Sequence, residues 1–159
     1  MTRTTGAARA LTLALAMLTV ACGGSDPGRP AAPPAGFDVV ETGIPDLQAA
    51  LREGRITSRQ LTVKYLERIA TYEDRLNAII TVNPRALEEA DAMDRERAAG
   101  KIRGPLHGIP IALKDNIHTT DIRTTDGALA FRDLVPPYDA TLTANLREGG
   151  AIIIAKTVL

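Results

Sequence analysis

The sequence lacks the residues that mark several common functional classes. Its single cysteine excludes an internal disulfide bond. Aromatic residues make up only 3% of the chain and tryptophan is absent, which argues against a platform for stacking nucleic-acid bases. Basic and acidic side chains balance at 19 each, so net charge gives no reason to expect nucleic acid as a partner. The composition therefore gives no support for a nucleic-acid binder.

Histidine and serine are equally scarce. His107 and His118 have no cysteine or carboxylate cluster at ligand spacing, so we expect no metal site, and His107 is interpreted as a turn residue. The only serines are Ser25 and Ser58. Neither lies in a glycine-rich turn that could present a hydroxyl among backbone amides. The chain therefore contains no candidate serine nucleophile.

Residues 1–22 have the pattern of an export signal. Arg3 and Arg9 precede an apolar run, residues 10–21, that is too short to span a bilayer as a stable helix. The signal predicts export to the bacterial cell envelope.

Cys22 directly follows this run, in the sequence LTVAC. That position resembles a bacterial lipoprotein box, although Leu18 lies one position further from the cysteine than is usual. We expect lipidation of Cys22 and a membrane anchor, with residues 23–37 as a disordered tether rich in proline and glycine. The alternative is an ordinary signal peptide that is cleaved nearby, which would leave the protein periplasmic and Cys22 incidental.

Residues 38–159 have the alternating pattern of an α/β fold. We predict N-terminal helices followed by the start of a mixed or parallel sheet covered by helices. The expected elements are a helix from about Pro45, a helix behind a capping box at Thr57, a strand over 78–82, a helix opened by Asn83-Pro84, a strand over 109–113, a helix capped by Asp139, and a strand over 151–155. The last two strands should pair in parallel, because a helix connects them.

The segment 104–116, GPLHGIPIALKDN, is the centre of the functional prediction. A turn leads into the apolar strand, and Lys114 stands at the strand's end. Lys114 should share a face with Pro110 and Ala112, which leave room around it. Ligands collect at the carboxyl ends of parallel strands, and a buried lysine that is neutral accepts a proton from a hydroxyl. The alternative is that Lys114 ends the strand because solvent begins there.

A second glycine-flanked segment imitates a phosphate-binding loop. Residues 150–157, GAIIIAKT, lack the second glycine of such a loop, and their apolar run is itself the predicted strand. We therefore expect no nucleotide site and no cofactor.

Several motifs together resemble the amidase signature family, the serine hydrolases with a Ser–cis-Ser–Lys triad. The resemblance covers roughly residues 38–159 and includes the lysine block, TTDG at 124–127, YDATL at 138–142 and LREGGAII at 146–153, and it runs on to KT at 156–157. In the last of these motifs the family has glycine before Lys156 and asparagine after Thr157. This chain has Ala155 and Val158 there, so the geometry near Lys156 is not carried over.

The resemblance implies roles for three neighbouring residues. Lys114 would be the catalytic lysine, and Asp115 and Asn116 would support the site structurally. In the family both serines lie in a Ser/Gly-rich region downstream of the lysine strand, and this sequence stops before that region. We therefore expect the front part of a longer, truncated amidase domain, with no activity of its own.

The expected function is hydrolysis of a carboxamide C–N bond in a small-molecule or peptide substrate. Two alternatives remain open. One is a non-catalytic envelope lipoprotein that keeps the fold for binding. The other is an amide-transferring subunit used in aminoacyl-tRNA synthesis, against which the export signal argues.

Overall fold

The computed structural model describes residues 36–158. The predicted export signal, Cys22 and nearly all of the tether lie outside these residues. The described elements are α1 (Ile44–Arg52), α2 (Ser58–Leu76), β1 (Ile79–Val82), α3 (Ala86–Ala98), β2 (Pro110–Lys114), α4 (Thr141–Glu148) and β3 (Ile152–Thr157), with a short 3-10 turn at Leu129–Phe131. Within this range no helix combines the length and apolar character needed to cross a bilayer.

The three strands form an open, mixed sheet in the order β1-β3-β2. The central strand β3 runs parallel to β2 and antiparallel to β1, so the predicted parallel pairing is confirmed. Ile111 pairs with Ile153 and Ala112 pairs with Ala155, which leaves Ile154 as an extra residue in β3. The fold is α/β, as predicted.

Local sequence signals explain where α1 and α2 lie. Proline occupies the first turn of α1, and the apolar residues Leu47, Ala50 and Leu51 of that helix are buried. The α2 capping box is present: the Gln60 amide donates to the Thr57 hydroxyl at 3.1 Å, and the Thr57 amide donates to the Gln60 side chain at 3.0 Å. Both helices thus begin as the sequence predicts.

The predicted start of α3 is wrong. The helix begins at Ala86 rather than at Pro84, and Asn83 does not cap it from the N-cap position. The Asn83 side-chain amide instead donates to the Ile153 carbonyl oxygen at 2.7 Å and to Glu89 Oε1 at 3.1 Å. The Asn83 side-chain oxygen accepts from the Arg85 amide at 2.9 Å, so this side chain links the central strand to the turn that precedes α3.

The predicted cap of α4 is also wrong. The N-cap residue is Ala140, which makes no side-chain capping bond. Asp139 Oδ1 accepts hydrogen bonds from the Thr120 amide at 2.8 Å and from the Thr120 hydroxyl at 3.1 Å, and Asp139 Oδ2 lies 3.2 Å from Arg147 Nε. This carboxylate ties the loop after β2 to α4 instead of ending a helix.

The central strand is buried on both faces. Ile152 and Ile154 pack with α2 and α3, whereas Ile153 packs with Leu113, Ile122 and other residues on the opposite side. A parallel strand with both faces covered needs a continuous apolar run, and β3 has one. β3 is therefore the strand around which the described helices are arranged.

The turn before β2 is held by close backbone contacts. The Gly108 amide donates to the Gly150 carbonyl oxygen at 2.8 Å. His107 is buried, its Nδ1 accepts from the Arg103 amide at 3.2 Å, and its Nε2 lies 2.9 Å from the Met93 carbonyl oxygen. His107 is a turn residue, as predicted, and its contacts fix the start of the lysine strand.

Candidate active site

Lys114 is the last residue of β2, at the carboxyl end of the strand where the sequence places it. Its side chain is exposed and makes no hydrogen bond or ion pair with any residue from 36 to 158. Ala112, two positions earlier on the same side of the strand, is exposed as well. The expected burial of Lys114 is therefore wrong for this part of the chain, because no described element packs over that end of β2.

Asp115, by contrast, is fully buried directly after the strand. Its amide donates to the Thr157 carbonyl oxygen at 2.9 Å, and its own carbonyl oxygen accepts from the Asp126 amide at 3.3 Å. Asp115 Oδ2 accepts from the Thr125 amide at 2.9 Å and from the Thr125 hydroxyl. Hydrogen bonds therefore hold this residue through both its backbone and its side chain.

Lys156, near the end of β3, completes a buried polar cluster. Its side chain has no solvent exposure, and its Nζ lies 3.3 Å from Asp115 Oδ1. The Lys156 ammonium donates to the Thr124 hydroxyl at 2.8 Å and to the Arg123 carbonyl oxygen at 3.4 Å. Burial lowers the pKa of Lys156 from its ordinary value, and the charge of Asp115 opposes that change without cancelling it.

Asn116 is exposed in the turn after β2, and its side chain has no partner among the described residues. Its role as a supporting residue stays a prediction, as do the roles of Lys114 and Asp115. The structure brings these three residues together only as neighbours in the chain, and of the three only Asp115 is tied to other elements by its side chain.

The loop between β2 and α4 carries the two threonines into the cluster. An ion-pair group fixes this loop: Asp121 lies 2.6 Å from Arg147 and 3.0 Å from Arg85. Thr119 is buried and donates to the Ile122 carbonyl oxygen at 2.7 Å. The polar segment 118–126 therefore runs beside the buried cluster.

Lys156, Thr124 and Thr125 are the residues that sequence reasoning missed. One signal was present: Lys156 directly follows a fully apolar strand, where a charged side chain has to be either exposed or paired. The identity of its partners was not readable, because they lie in a loop 32 residues away in the sequence.

The cluster contains a hydroxyl beside a lysine of lowered pKa, which is the chemistry of an activated nucleophile. Thr124 is only 4% exposed and Lys156 is fully buried, so no substrate reaches either group. The amine of Lys114, by contrast, is exposed. No set of histidine, cysteine or carboxylate side chains within residues 36–158 is arranged to hold a metal ion.

Comparison with protein families identifies the family to which the chain belongs. The profile of the amidase family matches residues 60–159, which include β2, the buried cluster and β3. The chain belongs to the amidase family.

Two solved amidases resemble the chain in structure as well as in sequence. The peptide amidase of Stenotrophomonas maltophilia matches with a TM-score of 0.72 and 48% identity, over 74% of this chain and 24% of its own. An amidase family protein of Bacillus anthracis matches with a TM-score of 0.70 and 34% identity, over 75% of this chain and 24% of its own.

Curated relatives include the A subunit of glutamyl-tRNA(Gln) amidotransferase. The Natranaerobius thermophilus subunit is 40% identical over 118 residues, which is 74% of this chain and 24% of the relative. The Marinobacter nauticus subunit is 43% identical over 115 residues, or 72% of this chain and 24% of the relative. The chain thus spans about a quarter of the length of the curated relatives that it matches.

Proposed function

We propose that this chain is the lysine-bearing part of an amidase that hydrolyses a carboxamide, with Lys114 as the catalytic lysine. The observation that carries the proposal is the position of Lys114, an unpaired amine at the carboxyl end of a strand whose neighbouring strand is parallel, in a chain of the amidase family. The exposure of Lys114 and its lack of a partner within residues 36–158 support a role in which its amine contacts residues outside this range.

The proposed reaction uses the neutral amine of Lys114 as a base. It draws a proton, through a bridging serine, from a nucleophilic serine that attacks the amide carbonyl carbon. The C–N bond breaks, ammonia or an amine leaves with the proton, and water then hydrolyses the acyl-enzyme to the acid. Ser25 and Ser58 do not supply these hydroxyls: Ser25 lies in the predicted tether, and Ser58 is buried at the start of α2. We therefore infer that the 159 residues alone do not turn over substrate.

For the substrate we propose a peptide amide. The peptide amidase is the relevant relative, because it is 48% identical to this chain over the matched segment. The near-neutral composition is compatible with an uncharged carboxamide and gives no sign of an anionic partner.

A second candidate is the catalytic subunit of a tRNA-dependent amidotransferase, favoured by relatives at 40–43% identity. The two candidates differ in their need for partners. A peptide amidase hydrolyses its substrate alone, whereas an amidotransferase subunit would act together with the other subunits of its enzyme. Hydrolysis of a peptide amide without any added protein therefore supports the first candidate.

We also propose export and lipid anchoring through Cys22, on the sequence pattern of residues 1–22. Expression of the chain with its leader, followed by membrane extraction and mass spectrometry of the N-terminus, tests this directly. A lipid-modified Cys22 that is lost in Cys22→Ser supports the anchor. A soluble periplasmic protein cleaved elsewhere, or an uncleaved cytosolic one, contradicts it.

The decisive experiment grafts residues 36–158 into the Stenotrophomonas peptide amidase in place of its matching quarter. We expect this chimera to release ammonia from a peptide amide, and Lys114→Ala to lower kcat by about 10⁴-fold or more. Lys101→Ala, which removes an exposed lysine in the turn after α3, is the matched control and should change kcat little. An active Lys114→Ala chimera would contradict the assignment of Lys114, and a retained non-catalytic fold would then become the better reading.

A further inference from the structure

Lys114 and its neighbour Asp115 are held in very different ways. The Lys114 side chain has no polar partner of its own among residues 36–158. The next residue, Asp115, is held by four others: by Thr157 and Asp126 through its backbone, and by Thr125 and Lys156 through its carboxylate. Besides its own backbone contacts, the pairing with Thr157 and the bond from the Ile117 amide to its carbonyl oxygen at 3.0 Å, the strand end that carries Lys114 is held through Asp115.

The Asp115 carboxylate can hold this place only if its charge is compensated. It has no solvent exposure, and its Oδ1 receives no hydrogen bond from any described residue. The ammonium of Lys156 faces that oxygen at 3.3 Å and is itself anchored by Thr124. A buried carboxylate left without a counter-charge would be strongly disfavoured, and the hydrogen bonds from Thr125 would weaken with it.

We propose that Lys156 is a positioning residue for Lys114: it neutralises Asp115, and the neutralised Asp115 holds the end of β2 so that the Lys114 amine projects in one fixed direction. This role rests on the proposed amidase function of Lys114. It assigns the two lysines opposite tasks, one buried and permanently paired, the other exposed and free to react. Lys156 does not act on the substrate, because it is enclosed and engaged with Thr124.

The first test needs no catalysis and uses the 159-residue chain. Amide hydrogen exchange is measured at Thr125, whose N–H bonds to Asp115, and at Leu61 in α2, whose N–H reports opening of the whole fold. Lys156→Met keeps the aliphatic stem and removes the charge. We expect exchange at Thr125 to accelerate by about tenfold or more relative to Leu61. A purely structural role would accelerate both amides equally and would overturn the proposal.

The second test measures catalysis in the active chimera. We expect Lys156→Met to lower kcat by about 100-fold and to change KM by less than about threefold, because a misplaced base slows the chemical step without removing a substrate contact. Arg103→Met is the matched control: it breaks the ion pair with Glu96, which lies outside the cluster, and should leave kcat unchanged. An unchanged kcat in Lys156→Met would overturn the proposal.

A double variant without buried charge keeps the proposal testable if Lys156→Met does not fold. Asp115→Asn combined with Lys156→Met leaves no buried charge, and the asparagine oxygen still accepts from Thr125. We expect this double variant to fold, to protect the Thr125 amide, and to recover kcat to within about tenfold of the parent. A folded double variant as slow as Lys156→Met would show that neutralising Asp115 is not the task of Lys156. Failure of Lys114→Ala to affect the chimera would instead refute the proposed function, so the two failures are distinguishable.

Discussion

Glycine positions in this fold differ in whether their surroundings leave space for a side chain, as Gly108 and Gly54 show. Gly108 and Gly54 both have left-handed backbone, with φ of +80° and +69°. A Cβ atom added at Gly108 would lie 2.0 Å from Ser58 Oγ and 2.9 Å from Ser58 Cβ, whereas one added at Gly54 would meet nothing within 4 Å. Gly108 therefore allows the turn before the lysine strand to lie directly against the start of α2.

We expect Gly108→Ala to destabilise the chain far more than Gly54→Ala. Both substitutions force alanine into left-handed backbone, which lowers the free energy of unfolding by about 1–2 kcal/mol. Only Gly108→Ala adds overpacking, which costs roughly 1–3 kcal/mol more. Chemical denaturation of the two variants measures the difference. Equal losses of stability would mean that the contact between Gly108 and Ser58 relaxes without cost.

At the scale of whole elements, α2 depends on the sequence at its N-terminus. The reciprocal capping box at Thr57 satisfies two backbone donors that the helix leaves free. Ser58 and Arg59 also donate their amides to Asp94 of α3, at 2.7 and 2.9 Å. The start of α2 is thus fixed both by its own sequence and by its neighbour.

The expected cost of Thr57→Ala is about 1 kcal/mol of unfolding free energy, since the capping hydroxyl is lost. Thr71→Ala makes the same chemical change inside α2, where the hydroxyl only bonds back to the Glu67 carbonyl oxygen. That control should be neutral or slightly stabilising, because alanine is the better helix former. Denaturation midpoints compare the pair, and a Thr71→Ala variant as unstable as Thr57→Ala would contradict the capping role.

Elements whose signals are local were predictable from the sequence. The Thr57 box and the order of strand, helix and strand gave the observed result. Asp139 failed as a cap because a distant partner, Thr120, takes its carboxylate. Asn83 lies two residues before the N-cap of α3, although its Oδ1 accepts from the Arg85 amide at 2.9 Å. Cap preference is a local rule, and tertiary hydrogen bonds override it.

The candidate site, too, was predictable only where its features depend on local sequence. The place of Lys114 at the end of a strand follows from the pattern of neighbouring residues, but its exposure depends on which elements cover that face. Lys156 escaped notice because a buried lysine is rare and needs a partner that only the folded loop supplies. Family resemblance drew attention to Lys114, whereas the partners of Lys156 became visible only in the structure.

At the scale of the whole molecule, the apolar side of α2 is only partly covered. Leu61 is completely buried near the start of the helix, but Tyr72 is 43% and Leu76 is 68% exposed near its end. The uncovered part borders a groove of about 360 Å³ between α2 and the sheet, whose walls include Ile79, Ala112 and Ile154. A groove of this apolar character is a site where apolar molecules bind from water.

We expect the 159-residue chain to bind an apolar fluorescent dye in this groove. Leu76→Gln should weaken dye binding by about tenfold, because it removes roughly the contribution of one apolar side chain from the wall. Leu129→Gln is the matched control, since Leu129 is 79% exposed but does not border the groove. Fluorescence titration compares the two variants with the parent. If both substitutions weaken binding equally, the dye is bound elsewhere on the surface, and α2 and the sheet do not form a continuous apolar site.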